Sequence, residues 1–152
     1  MLRAIALARQ TSLVHKAGGP FGCVIVKDGD VVAEGANTVL ADCDPTCHAE
    51  INAIREACKE FGTHDLTGCI LYASGEPCPM CYAACCWARI EKIYFASTMY
   101  DAKKYGGFDD EPIMRSFELD IKDRKISGTQ LPKEEMVALW KEFSIVEDRL
   151  HY

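Results

Sequence analysis

The sequence has no apolar run approaching the roughly 20 residues that a helix needs to cross a bilayer, so no membrane span is expected. It has no run of basic residues, and its formal net charge is −6. Affinity for nucleic acid rests on lysines and arginines that neutralise phosphates, so a polyanionic partner is disfavoured and a small neutral substrate is easier to accommodate. Residues 1–10 lack the cleavage pattern of a secretion signal, which makes a cytoplasmic location the expectation. There is no internal repeat, low-complexity segment or linker, and 152 residues read as one domain, 1–152, able to bury a core without disulfides or a structural metal. What the chain does carry is cysteine, nine in all. An odd count without an export signal reads as reduced thiols, some on a metal and the rest buried.

Two stretches concentrate the chemistry, Cys47-His48-Ala49-Glu50 and Glu76-Pro77-Cys78-Pro79-Met80-Cys81, with Cys78 thirty residues after His48. One imidazole and two thiols, His48, Cys78 and Cys81, suit a tetrahedral zinc ion whose fourth position is left to water or substrate. Glu50, two residues past the histidine, can serve that water without binding the metal. H-x-E followed by P-C-x-x-C is the signature of zinc-dependent nucleobase deaminases. A closed structural site is the competing reading, because Cys78, Cys81 and Cys85 fall at i, i+3 and i+7 and could add a third thiolate to His48.

The flanking pattern predicts alternating helices and strands. Residues 2–16 put Leu2, Ile5, Ala6 and Leu13 on one helical stripe, as for a helix packed on a sheet. Cys23–Val26 and Val31–Ala33, joined through Lys27-Asp28-Gly29-Asp30, predict an antiparallel hairpin. A helix from His48 to Phe61 turns Ala53, Ile54, Ala57, Cys58 and Phe61 to one side, and Glu50 projects into that apolar face. The bland reading of Glu50 is a solvated first-turn carboxylate favoured by the helix dipole; its angular position argues for function, because carboxylates are rarely buried without a partner. Cys69–Ala73 predicts a buried third strand, Met80–Ala88 a helix, and Ile93–Ala96 a fourth strand parallel to the third. Residues 100–117 read as a loop between short helices, Leu119–Lys122 as a fifth, edge strand, and the segment after Pro132 as a final helix with Met136, Leu139, Trp140 and Phe143 on one face. Cys23, Cys58, Cys69, Cys85 and Cys86 are expected to be small buried hydrophobes, and His15, His64 and His151 surface residues. Phe21, Trp87 and Tyr152 are aromatic candidates for pocket wall or lid, against a core role for each.

With both half-motifs in place, the chain resembles the cytidine deaminase-like zinc hydrolases, and among them the small bacterial guanine deaminases. The likeness runs from Gly18-Gly19-Pro20-Phe21-Gly22 through Asp44-Pro45-Thr46 and the two half-motifs to Trp87-Ala88-Arg89 and Gly107-Phe108-Asp109-Asp110. It implies a three-layer α/β/α fold with a five-stranded mixed sheet. It also implies one Zn2+ per chain on His48, Cys78 and Cys81 with water as fourth ligand, Glu50 as proton shuttle, Asn37 as a hydrogen-bonding partner of the purine and Asp110 near its amino group. Main-chain donors around Ala49 complete the set. It further implies a homodimer in which the C-terminal segment, about 132–152, is exchanged between subunits, with Tyr152 closing the neighbour's site. The expected reaction is hydrolytic deamination of guanine to xanthine and ammonia. A nucleoside such as guanosine, or cytosine or adenine, is the alternative substrate, and a zinc-stabilised interaction module without catalysis gives no reason for Glu50. The sequence departs from the family at Gly75, where cysteine is frequent, and at Cys85-Cys86, where small and aliphatic residues are usual.

Overall fold

The computed structural model describes residues 1–149; Tyr152 and His151 lie outside them. The chain divides into two compact units, Met1–Asp110 and Glu111–Tyr152. The first is built on a mixed sheet of four strands, β1 (Gly22–Lys27), β2 (Asp30–Ala36), β3 (Cys69–Gly75) and β4 (Lys92–Ser97), in the order β2-β1-β3-β4. β1 pairs antiparallel with β2 and β3, and β3 runs parallel to β4; the one-turn helix α2 (Val39–Asp42) follows β2. The hairpin turn forms as its sequence predicts: Asp28 and Gly29 both take positive φ, 52° and 92°, which Asp-Gly tolerates and most pairs do not.

Adjacent strand residues point to opposite faces, and β1 shows what each face receives. Cys23 and Ile25 join Leu71, Ala73, Leu66 and Cys69 in a core closed by Ala49, Ala53 and Ala57 of α3 (Ala49–Phe61) and by Cys85 of α4 (Pro79–Trp87). Gly22, on the other face, lies under α1 (Leu2–Arg9), where a β-carbon would stand 2.2 Å from the Ala4 carbonyl oxygen. This is the three-layer arrangement, α1 on one side of the sheet and α3 with α4 on the other.

Backbone contact with Gly22 explains one departure from expectation. α1 buries Ala4 and Ala8, and the π-helical turn after it, Gln10–Val14, buries Thr11. The stripe read as core, Leu2, Ile5, Ala6 and Leu13, is exposed, Leu2 to 84% and Leu13 to 65%. Small residues let the helix axis approach the strand, and the bulky ones are turned away. Gly35 plays the same part for α3: a β-carbon there would stand 2.1 Å from the Ala49 carbonyl oxygen. Gly35→Ala is therefore expected to destabilise the protein by at least about 2 kcal/mol, because overpacking against backbone has no side chain to yield; urea unfolding measures it.

Leu119–Lys122 is not a strand. Ile121–Asp123 forms one 3-10 turn, with the Gly128 N–H donating to the Ile121 carbonyl, and among the described residues the sheet has four strands rather than five. A two-fold alternation over four residues has no strand beside it to complete a ladder. The second unit otherwise holds the short helix α6 (Glu111–Ser116) and α7 (Glu134–Ser144). In α7 Met136, Leu139, Trp140 and Phe143 are all exposed.

Candidate active site

Two helix starts converge on the metal-ligand set. His48 is the N-cap of α3 and Cys78 the N-cap of α4, both in extended backbone, with Pro79 at the first helical position of α4. Proline fits there because its missing N–H would have had no intrahelical acceptor. His48 Nδ1 lies 3.5 Å from Cys78 Sγ and 3.5 Å from Cys81 Sγ, and the three ligand atoms fall within 4.8 Å of one another. Zinc bonds of about 2.3 Å to sulfur and 2.0 Å to nitrogen on a tetrahedron place neighbouring ligand atoms about 3.5 Å apart. The residues therefore fit zinc without rearrangement. The hydrogen bond from Cys81, with a further contribution from the one to His48, draws the Cys78 thiol down to about 4. That same bond to Cys78, then burial, holds the Cys81 proton up, and the bond to Cys78 raises His48.

Cys85 stands apart from this group among the described residues. It belongs to the apolar core, where burial first and the nearby Glu50 second push its thiol up to about 12. Its place in the core, outside the His48/Cys78/Cys81 group, disfavours the closed four-ligand site by position.

Glu50 is 5% exposed. Its Oε2 accepts from Cys81 Sγ at 3.3 Å, and burial raises its pKa above the usual carboxylate value. It opens into a cavity of about 50 Å³ lined by Phe21, His48, Glu76, Cys78, Phe108 and Asp110. Phe108 meets Phe21 edge-on, ring centroids 5.0 Å apart at 78°. Asp110 is half-buried, and burial raises it, with the Cys78 charge adding to the effect. A second cavity of about 330 Å³ shares Phe21, His48 and Phe108 and adds Gly18, Gly19, Asn37, Val39 and Leu40. The first has room for a reacting edge beside the ligands, the second for a planar body.

Asn37 is 4% exposed, and its Oδ1 accepts from the N–H groups of Gly19 (3.2 Å) and Val39 (3.3 Å). Two backbone donors fix the amide orientation, so Nδ2 is the polar group left to the cavity, and it can only donate. Asn37→Asp would keep the oxygen that holds both backbone donors and replace the donor by an acceptor. The expected result is a 10- to 100-fold rise in KM, about 1.5–3 kcal/mol, with zinc content unchanged; steady-state kinetics with metal analysis checks it.

Ala49 opens α3, fully buried, its N–H among the first-turn donors that have no intrahelical acceptor. Trp87 ends α4, 64% exposed and outside the lining of both cavities. Cys86 is exposed and Cys58 half-exposed, against the expectation that both are buried, while Cys23, Cys69 and Cys85 are buried. The outer side of α4 is apolar throughout, so its pattern marks no inward face. Gly75 leaves room for Phe21, whose ring lies 3.2 Å from where a β-carbon would stand.

Two contributors were not singled out by motif. The Asn52 amide on α3 donates to the Ala36 carbonyl (2.9 Å), Thr38 Oγ1 (3.0 Å) and the Cys47 carbonyl (3.5 Å), tying the two neighbours of Asn37 to the residue before His48. Its place one helical turn after His48 was the available signal. Glu76, inside the quoted half-motif, lines the smaller cavity and accepts from the Met99 N–H at 3.0 Å.

Residues 1–97 match the cytidine and deoxycytidylate deaminase zinc-binding region. The guanine deaminase of Bacillus subtilis (strain 168) is 45% identical over 145 residues, 93% of this chain and 92% of that protein. A tRNA-specific adenosine deaminase of Aquifex aeolicus (strain VF5) is 37% identical over 145 residues, 91% of this chain and 89% of its own. The X-ray structure of guanine deaminase from Bacillus subtilis superposes with a TM-score of 0.94 at 41% identity, covering 99% of this chain and 95% of that one.

Proposed function

Because the chain belongs to the cytidine and deoxycytidylate deaminase zinc-binding family, we propose that it deaminates guanine hydrolytically to xanthine and ammonia, using one zinc per chain with water as the fourth ligand. The observation that carries the reading is Glu50, a carboxylate buried against Cys81 at the mouth of a His48/Cys78/Cys81 group. The guanine deaminase relative, matched over nearly both whole chains, supports the substrate.

Zinc on these three residues would supply a Lewis acid that brings the pKa of water toward neutrality. Glu50 takes the proton from the attacking water, gives it to the ring nitrogen beside the amino-bearing carbon, and next carries a proton to the departing amine. Water adds its oxygen to that carbon, ammonia leaves, and a carbonyl remains. Asp110 accepts from the amino group as it leaves, Asn37 Nδ2 donates to an unprotonated acceptor of the ring, and the N–H of Ala49 fixes ring polarity. Phe21 and Phe108 hold the plane of the base.

The same reading makes the protein a homodimer with its C-terminal segment, about 132–152, exchanged, and a cytoplasmic one. The exposed apolar side of α7 and the exposed stripe of α1 beside a groove of about 520 Å³ between α1 and β4 are surfaces that a second copy would cover. Tyr152 would close the partner's site. Ammonia release from guanine, guanosine, adenine, cytosine and cytidine tests the substrate. Guanine is expected to lead in kcat/KM by at least about 100-fold; a faster nucleoside, or adenosine in tRNA as substrate, would overturn the assignment.

A further inference from the structure

We propose that Glu76 is a positioning residue that ties the turn carrying Cys78 to the arm carrying Phe108 and Asp110, so that the contribution of Asp110 depends on it. The proposal rests on the reading of Asp110 as a group that meets the substrate. Its basis is the way the arm is held. β4 ends at Ser97, α5 (Met99–Asp101) follows, and a π-helical turn, Ala102–Gly106, leads through Gly107 to Phe108 and Asp110.

Inside the arm the polar groups are satisfied locally. Thr98 and Asp101 form a reciprocal cap: the Thr98 N–H and hydroxyl both donate to Asp101 Oδ2, and the Asp101 N–H donates to Thr98 Oγ1. The N–H groups of Gly107 and Phe108 reach the carbonyls of Lys103 and Ala102, and Lys103 pairs with Asp109 at 3.0 Å. The cap leaves the Met99 N–H, a first-turn donor with no intrahelical acceptor, and Glu76 Oε2 accepts it at 3.0 Å. Glu76 also donates its own N–H to the Ser97 carbonyl at 2.8 Å. One residue therefore makes two bonds across the root of the arm, one on each side of Thr98, two positions before a metal ligand. At the tip the Phe108 ring rests edge-on against Phe21. A segment closed on itself and fixed at root and tip moves as a body, and releasing the root lets Asp110 shift relative to His48 and Cys78. A shift of an ångström in a reacting group is enough to cost a large factor in rate.

Glu76 also lines the smaller cavity, so direct contact with substrate is the rival role, and the two respond differently to amide replacement. Glu76→Gln retains a carbonyl oxygen for the Met99 N–H and removes the charge; Glu76→Ala removes both. Positioning predicts kcat/KM within about 3-fold of wild type for Glu76→Gln and about 10- to 50-fold below it for Glu76→Ala, at full zinc content. It also predicts that in the Asp110→Asn background Glu76→Ala costs less than about 2-fold, because residues acting through one another are not additive. Amide hydrogen exchange over residues 99–106 should quicken about tenfold or more in Glu76→Ala and stay at the wild-type rate in Glu76→Gln. Glu76→Gln falling as far as Glu76→Ala, losses that multiply in the double variant, or unchanged exchange in Glu76→Ala would each overturn the proposal. Full activity in Asp110→Asn alone would instead remove the role given to Asp110, and exchange at residues 99–106 would still decide whether Glu76 holds the arm.

Discussion

Glu50→Gln is expected to lower kcat by about 100- to 10,000-fold, the range for removing a positioned general acid–base group, while zinc stays bound and the folded protein becomes no less stable. Both halves follow from the placement of Glu50. It occupies the α3 face that packs on the sheet, in line with Ala53 and Ala57, and is buried nearly as fully as they are. A carboxylate there is costly to ionise, which is why burial lifts its pKa. Glutamine has nearly the same shape and no charge to desolvate, so the core loses no packing. A residue kept for the fold would be missed in a thermal melt; one kept for chemistry would be missed only in turnover. Ammonia release, bound zinc and melting temperature, measured on one preparation, decide the matter. Retained zinc with near-wild-type turnover would rule out the proton-shuttle role, and a lowered melting temperature would make Glu50 a structural residue.

Much of the first unit was legible because its signals are local. Asp28-Gly29 dictates its turn whatever surrounds it, and the helix between Cys69–Gly75 and Lys92–Ser97 forces those strands parallel. Glu50 could be placed on a buried face by periodicity alone. The failures lie where a tertiary neighbour decides. α1 carries two plausible stripes, and the small one was chosen because Gly22 admits a helix at backbone distance, a property of another segment. Leu119 and Ile121 alternate like a strand, yet Ile121 opens a 3-10 turn. Cys86 lies on a helix apolar on all sides, where periodicity has no contrast to read. Asn52 and Glu76 act on main-chain atoms 16 and 23 residues distant, and no spacing rule reports such partners.

Cys81→Ser is expected to remove at least about 1,000-fold of activity and most of the bound zinc. His48 Nδ1 stands at 3.5 Å from both sulfurs, a spacing that zinc satisfies and that leaves one tetrahedral position for the reaction. A serine hydroxyl is a poor zinc donor that stays protonated at neutral pH, so the charge and the affinity of the group fall together. Chelation of the wild-type protein should give the same loss, reversed by added zinc. Cys85→Ala separates the open from the closed ligand set. Its thiol lies in the core, outside the group of ligands, so the cobalt-substituted variant should keep the thiolate-to-metal absorption of two sulfurs and near-wild-type turnover, with stability reduced by about 1 kcal/mol for the lost buried sulfur. A fall in that absorption by about a third would mean three thiolates and a closed site, and with it the position that hydrolysis needs would be gone. The two variants thus test one geometric statement, that the sulfurs at 78 and 81 bind while the one at 85 packs.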